Sequence, residues 1–86
     1  MSEPVVKIGM KPVHPGKFLR EEVVEELGLT WLQAAGMLGM RENELSSLLN
    51  EETRLLPEWA DNFEQTFGIS KNMILNLQKF YEAGSF

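Results

Sequence analysis

The stretch WLQAAGMLGMRENELSSLLN, residues 31–50, decides how the rest of the chain is read. It holds two short apolar segments with Gly39 between them, each too short to be a stable helix alone. Thr30 precedes the first and Gln33 follows three residues on, the spacing of a capping box that starts a helix at residue 31. A helix-turn-helix needs a small residue where its second helix crosses the first. It also needs a glycine able to take positive φ at the turn, and apolar residues at fixed later positions that lock the crossing. Ala35, Gly39, Leu45 and Leu48 supply these at offsets of +4, +10 and +13 from Ala35. Helices are predicted over 31–38 and 42–50, with Met40, Leu45, Leu48 and Leu49 inward and Asn50 capping the second C-terminus.

Working outward, Pro15 suits a first helical turn, Leu19, Val23 and Leu27 recur every four residues, and Gly28 stops the helix, giving 16–27. Glu21, Glu22, Glu25 and Glu26 take the remaining faces. On the other side, Pro57 opens a helix over 57–67 with Ala60, Phe63 and Phe67 on one side, closed by Gly68. Ser70 caps the last, over 71–82, with Ile69 and Ile74 placed as a hydrophobic staple and a stripe of Ile74, Leu77 and Tyr81. Trp59, Phe63, Phe67 and Met37, Met40 and Met73 are expected in the core, and His14 at the opening of the first helix. The result is an all-α domain of five helices over residues 14–86. Before it, residues 1–13 carry two prolines and a glycine without helical period and read as an arm.

Composition narrows the function classes. Eighty-six residues support one small core and leave little room for an enclosed cleft. There is no cysteine, so disulfides, cysteine-ligated metal and a thiol nucleophile are excluded; His14 is the sole histidine, which excludes a histidine-only metal site. Glutamate pairs on helix faces, without nucleophile or cleft, make no reaction centre, so an enzyme, a cofactor and a metal are not expected. No apolar run approaches the roughly 18–20 residues that span a bilayer, and none resembles a secretion signal, so a cytoplasmic protein without membrane contact is expected. Net charge is −5, but unevenly spread: +3 over residues 1–20 and −8 over residues 21–86. An acidic body repels nucleic acid at long range.

The segments HPGKFLREEVVEELGLT, WLQAAGMLGMRENELSSLLNEE and FGISKNMILNLQKFYE resemble successive blocks of the HigA/VapI antitoxins, a branch of the lambda-repressor-like (XRE) helix-turn-helix family. The resemblance covers residues 14–82. It rests on His14-Pro15-Gly16 followed by Leu19-Arg20-Glu21-Glu22, then Leu49-Asn50, Phe67-Gly68 and Leu75-Asn76-Leu77-Gln78 with Tyr81. It implies a five-helix lambda-repressor-like fold and a regulator that represses its own promoter as a homodimer. It also implies an antitoxin for a small basic RNase. Double-stranded DNA and a basic toxin are then the partners, with residues 41–47 at the major groove.

The chain departs from that family where DNA would be met. Arg41, Glu42, Asn43, Glu44 and Ser47 fill the recognition slots. The family commonly has a small capping residue in place of Arg41, a basic or polar one for Glu44, and glycine then a basic residue for Glu51-Glu52. Residues 41–54 hold two cations against four carboxylates. Two readings stay open. In one, Arg41 and Asn43 read bases, Ser46, Ser47 and Arg54 lie near phosphates, and Glu42 or Glu44 accepts from cytosine N4. In the other, the motif is a degenerate scaffold that no longer binds DNA and serves protein–protein interaction. Trp31 and Leu32 are then its anchors. In either reading the stripe Ile74, Leu77, Phe80 and Tyr81 is first of all packing and also offers a face for pairing with a second copy.

Overall fold

The computed structural model describes residues 12–83. The expected arm, apart from Pro12 and Val13, lies outside the described residues. Among these residues there are five helices: α1 (Pro15–Leu19, continuing as a π-helical turn Arg20–Val24), α2 (Trp31–Leu38), α3 (Glu42–Leu49), α4 (Pro57–Phe67) and α5 (Lys71–Ala83). Among the described residues there is no strand. α2 packs on α3 and α4, α1 on α3 and α5, and α4 on α5, so the helices close on one another around the core.

Each boundary has a local cause. Gln33 N–H donates to Thr30 Oγ1 at 3.0 Å and Thr30 N–H to Gln33 Oε1 at 2.9 Å, the reciprocal box read from the sequence. Gly39 ends α2 at φ +71°, and Met40 N–H reaches back to the Ala35 carbonyl at 3.0 Å. Gly28 and Gly68 also adopt left-handed φ at the ends of their segments. Ser70 Oγ accepts from Met73 N–H at 3.2 Å and so caps α5.

The core joins Leu19, Val23 and Val24 to Ala34, Ala35 and Leu38, to Leu45, Leu48 and Leu49, and to Leu55, Ala60, Phe63 and Ile74, all buried. The four scaffold positions therefore do what the spacing requires. Ala35, Leu45 and Leu48 are buried and Gly39 makes the turn.

Three expectations are corrected. The first helix is not uniformly α over 16–27: Glu25 N–H bonds the Arg20 carbonyl and Leu29 N–H the Val24 carbonyl, five residues back. Those wide turns bring Val24 into the core and leave Leu27 57% exposed, which a period of four does not foresee. Asn50 is the C-cap of α3, as read from the sequence, at φ −87°, and Glu51 after it takes the left-handed conformation, at φ +64°. Met37 and Met73 are exposed, at the flanks of the buried sides of their helices, whereas Met40 is buried. Phe67 is half-buried, packed on the core from its edge.

The helices meet at one very close approach. A Cβ built on Gly16 would overlap the Leu48 carbonyl oxygen and stand 2.9 Å from its carbon, so α1 and α3 touch backbone to backbone. Next to this contact His14 caps α1: its Nδ1 accepts from Gly16 N–H at 2.8 Å, which places the ring proton on Nε2, donated to the Thr53 carbonyl at 3.1 Å. Tyr81 of α5 packs edge-on against the imidazole with ring centroids 4.9 Å apart.

Candidate nucleic-acid interface

Leu45, Leu48 and Leu49 fix the inward side of α3, so the first turn and the opposite side are left outward. Arg41, Glu42, Asn43 and Asn50 are exposed, and Glu44, Ser46 and Ser47 half-buried. Arg41 stands at the N-cap with extended backbone (φ −73°, ψ 146°), a place usually held by a short oxygen acceptor. Its side chain makes no cap bond. The cap is instead half of a box: Arg41 N–H donates to Glu44 Oε1 at 3.1 Å. Glu44, a candidate base reader in the sequence, is thus engaged in starting the helix. Among the described residues Arg41 forms no ion pair, while Asn43 beside it is exposed.

The other cations near the motif are engaged. Arg20 Nη1 donates to the Leu49 carbonyl at 2.7 Å, satisfying one of the C-terminal acceptors of α3, and lies 3.5 Å from Glu21 and 3.8 Å from Glu51. Arg54 is clasped by Glu82 of α5: Nε to Oε2 at 2.9 Å and Nη2 to Oε1 at 3.0 Å, a bidentate pair. The hydrogen bond from Arg54 holds the Glu82 carboxyl below the ordinary glutamate range, and the same bond raises Arg54. Electrostatically the site is acidic. Glu42, Glu44, Glu51 and Glu52 surround α3, and Glu82 brings a fifth carboxylate to the loop.

That loop, residues 50–56, is held from two sides. His14 binds Thr53 as described, and the buried Gln78 amide closes on both sides of Leu55. Leu55 N–H donates to Gln78 Oε1, and Gln78 Nε2 donates to the Leu55 carbonyl at 2.8 Å. Neither Gln78 nor Glu82 was a candidate in the sequence. In the sequence Gln78 stands only within the resemblance block Leu75-Asn76-Leu77-Gln78, and its spacing of four from Ile74 places it on the buried side of α5.

The apolar candidates divide. Trp31 is half-buried against the core and Leu32 is 64% exposed beside it. Ile74 is fully buried, so it is a core residue and unavailable to a partner, a correction to its place among interaction residues. Leu77 is half-buried and Phe80 is 66% exposed. Tyr81, though 43% exposed, is engaged with His14. Among the described residues no group of three His, Asp or Glu could hold a metal ion, and no helix is long and apolar enough to cross a membrane.

No family model matches the chain. Among curated proteins it is 29% identical over 82 residues to virulence-associated protein I of Dichelobacter nodosus, covering 95% of this chain and 76% of that protein. It is 34% identical over 68 residues to the uncharacterized HTH-type transcriptional regulator YbaQ of Escherichia coli, covering 79% of this chain and 60% of the regulator. Among solved structures, the antitoxin GraA superposes with a TM-score of 0.84 at 28% identity, over 90% of this chain and 83% of that one. An addiction module antidote protein of the HigA family from Coxiella burnetii gives 0.79 at 30% identity, over 86% and 80%. A Pseudomonas aeruginosa protein in complex with its 18-bp operator DNA gives 0.83 at 26% identity, over 90% and 81%.

Proposed function

The chain belongs to the HigA-type antitoxins of the XRE helix-turn-helix family, which are not enzymes, and from that membership we propose that it is a regulator that binds operator DNA through α3. The observation that carries this reading is the exposed first turn of α3. It presents Arg41 and Asn43 from a rigid helix-turn-helix whose fold matches a protein solved on its operator. In this reading Arg41 and Asn43 contact base edges, with Ser46, Ser47 and Arg54 toward phosphate and Glu42 toward cytosine N4. A homodimer, paired through the outer side of α5 at Leu77 and Phe80, sets two copies of α3 one helical turn apart. The acidic face of α1 and its π turn, Glu21, Glu22, Glu25 and Glu26, is the surface offered to a basic toxin. All four of these glutamates are exposed.

The second reading, a motif retained only as a protein-interaction module, draws on the acidity around α3 and on Leu32, a bare leucine on the first turn of α2. Titration of the protein against a labelled duplex from its own upstream region, across salt concentration, separates the two. Under the DNA-binding reading, binding saturates and weakens steeply with salt, and Arg41→Ala or Asn43→Ala costs about 1–3 kcal/mol. A folded protein with no binding at low salt refutes it in favour of the module.

A further inference from the structure

We propose that Glu82 lowers the DNA affinity of this chain by occupying the Arg54 guanidinium that would otherwise meet a phosphate. The inference rests on the DNA-binding reading and adds to it a determinant on a different helix from the recognition residues.

The backbone on both sides of Arg54 is pinned, at Thr53 by His14 and at Leu55 by Gln78. The side chain alone is left to choose a partner, and it chooses Glu82 with two bonds, from Nε and Nη2. That edge of a guanidinium also forms bidentate pairs with phosphate oxygens, so carboxylate and phosphate compete for the same donors. Both side chains are open to water, 58% and 44% exposed, so a phosphate can reach the guanidinium and compete for it. A phosphate that takes Arg54 from Glu82 leaves an uncompensated carboxylate beside a polyanion, in a region that already carries Glu51 and Glu52. With Arg20 committed to Leu49, Glu21 and Glu51, removing the Glu82 charge frees the one cation of the loop that leaves α3.

The test compares wild type, Glu82→Gln, Arg54→Ala and the double variant of the full chain, by fluorescence anisotropy on a duplex from the upstream region at several salt concentrations. Glu82→Gln is expected to bind about three- to tenfold tighter at low salt, with log K falling more steeply against log salt by up to about 0.9. In the Arg54→Ala background the same substitution is expected to give a clearly smaller gain, from relief of carboxylate–phosphate repulsion alone, with no steepening of the salt slope. Binding by wild type with Glu82→Gln equal or weaker overturns the proposal and leaves the DNA-binding reading standing, as does a gain and a slope change as large without Arg54 as with it. Absence of binding by both folded proteins at the lowest salt overturns the proposal and the reading together.

Discussion

Two glycine-to-alanine substitutions are expected to act with opposite signs, although both place a methyl group on a helix. Alanine is ordinarily the better helix residue by about 1 kcal/mol. At Gly36, in the middle of α2, a Cβ meets nothing within 4 Å, so Gly36→Ala is expected to stabilise by about 0.5–1 kcal/mol. At Gly16 the same methyl group would overlap the Leu48 carbonyl oxygen, with the carbonyl carbon 2.9 Å and His14 Nδ1 3.0 Å away. Backbone cannot rotate aside as a side chain does, so α1 must lift from α3 by more than an ångström. That opens the packing around the fully buried Leu19 and Leu48 and stretches the His14 cap. Overpacking of this kind costs about 1–3 kcal/mol, and the rigidity of the neighbour places Gly16→Ala at about 3 kcal/mol. A domain this size has about 5–10 kcal/mol in total, and 1 kcal/mol moves its midpoint by about 4–8 °C. Thermal and urea melts by circular dichroism should show Gly16→Ala lower by more than 10 °C and Gly36→Ala higher by several. Equal shifts in the two variants would refute the argument from clearance.

Glu51→Gly relieves a left-handed glutamate at φ +64° and is expected to stabilise by about 0.5–1 kcal/mol in the same melts, the left-handed penalty less the added chain entropy of glycine. Gln78→Leu keeps the bulk but strips Leu55 of both side-chain partners, leaving a buried N–H and C=O unsatisfied; urea denaturation should show a loss of about 2–4 kcal/mol. Glu82 is depressed by its bond from Arg54, so the clasp is complete above the ordinary glutamate range and is lost as pH falls through the lowered folded value. A carboxyl-detected NMR titration should place its midpoint below that of a free glutamate and return it there in Arg54→Ala.

The order of helices was legible because it is written in local chemistry. Thr30 with Gln33, Pro57, Ser70 and the glycines at 28, 39 and 68 each act within one turn of their own position. The candidate site was legible only where exposure follows from period, as at Arg41 and Asn43 opposite Leu45 and Leu48. What period could not supply was long-range pairing. Arg54 reads as a loop cation until Glu82, 28 residues later, is seen to hold it. Gln78 has no partner in the sequence until Leu55, 23 residues before it, is found against it. The π turn was hidden for a related reason: Leu27 continues the stripe, and only the contact of Val24 with other helices decides which of the two goes inward.

The two bonds between Gln78 and Leu55 imitate a pair of facing peptide groups, so the connection leaving α3 has its own main-chain partners although it is neither helix nor strand. The Leu55 amide should then exchange with solvent on the timescale of the core rather than of a surface loop. A segment that opens only with the whole domain is already ordered before anything docks on it. Association at α3 therefore meets an exit loop with little conformational freedom left to lose, and the entropic cost of binding falls on the partner and on the exposed side chains alone.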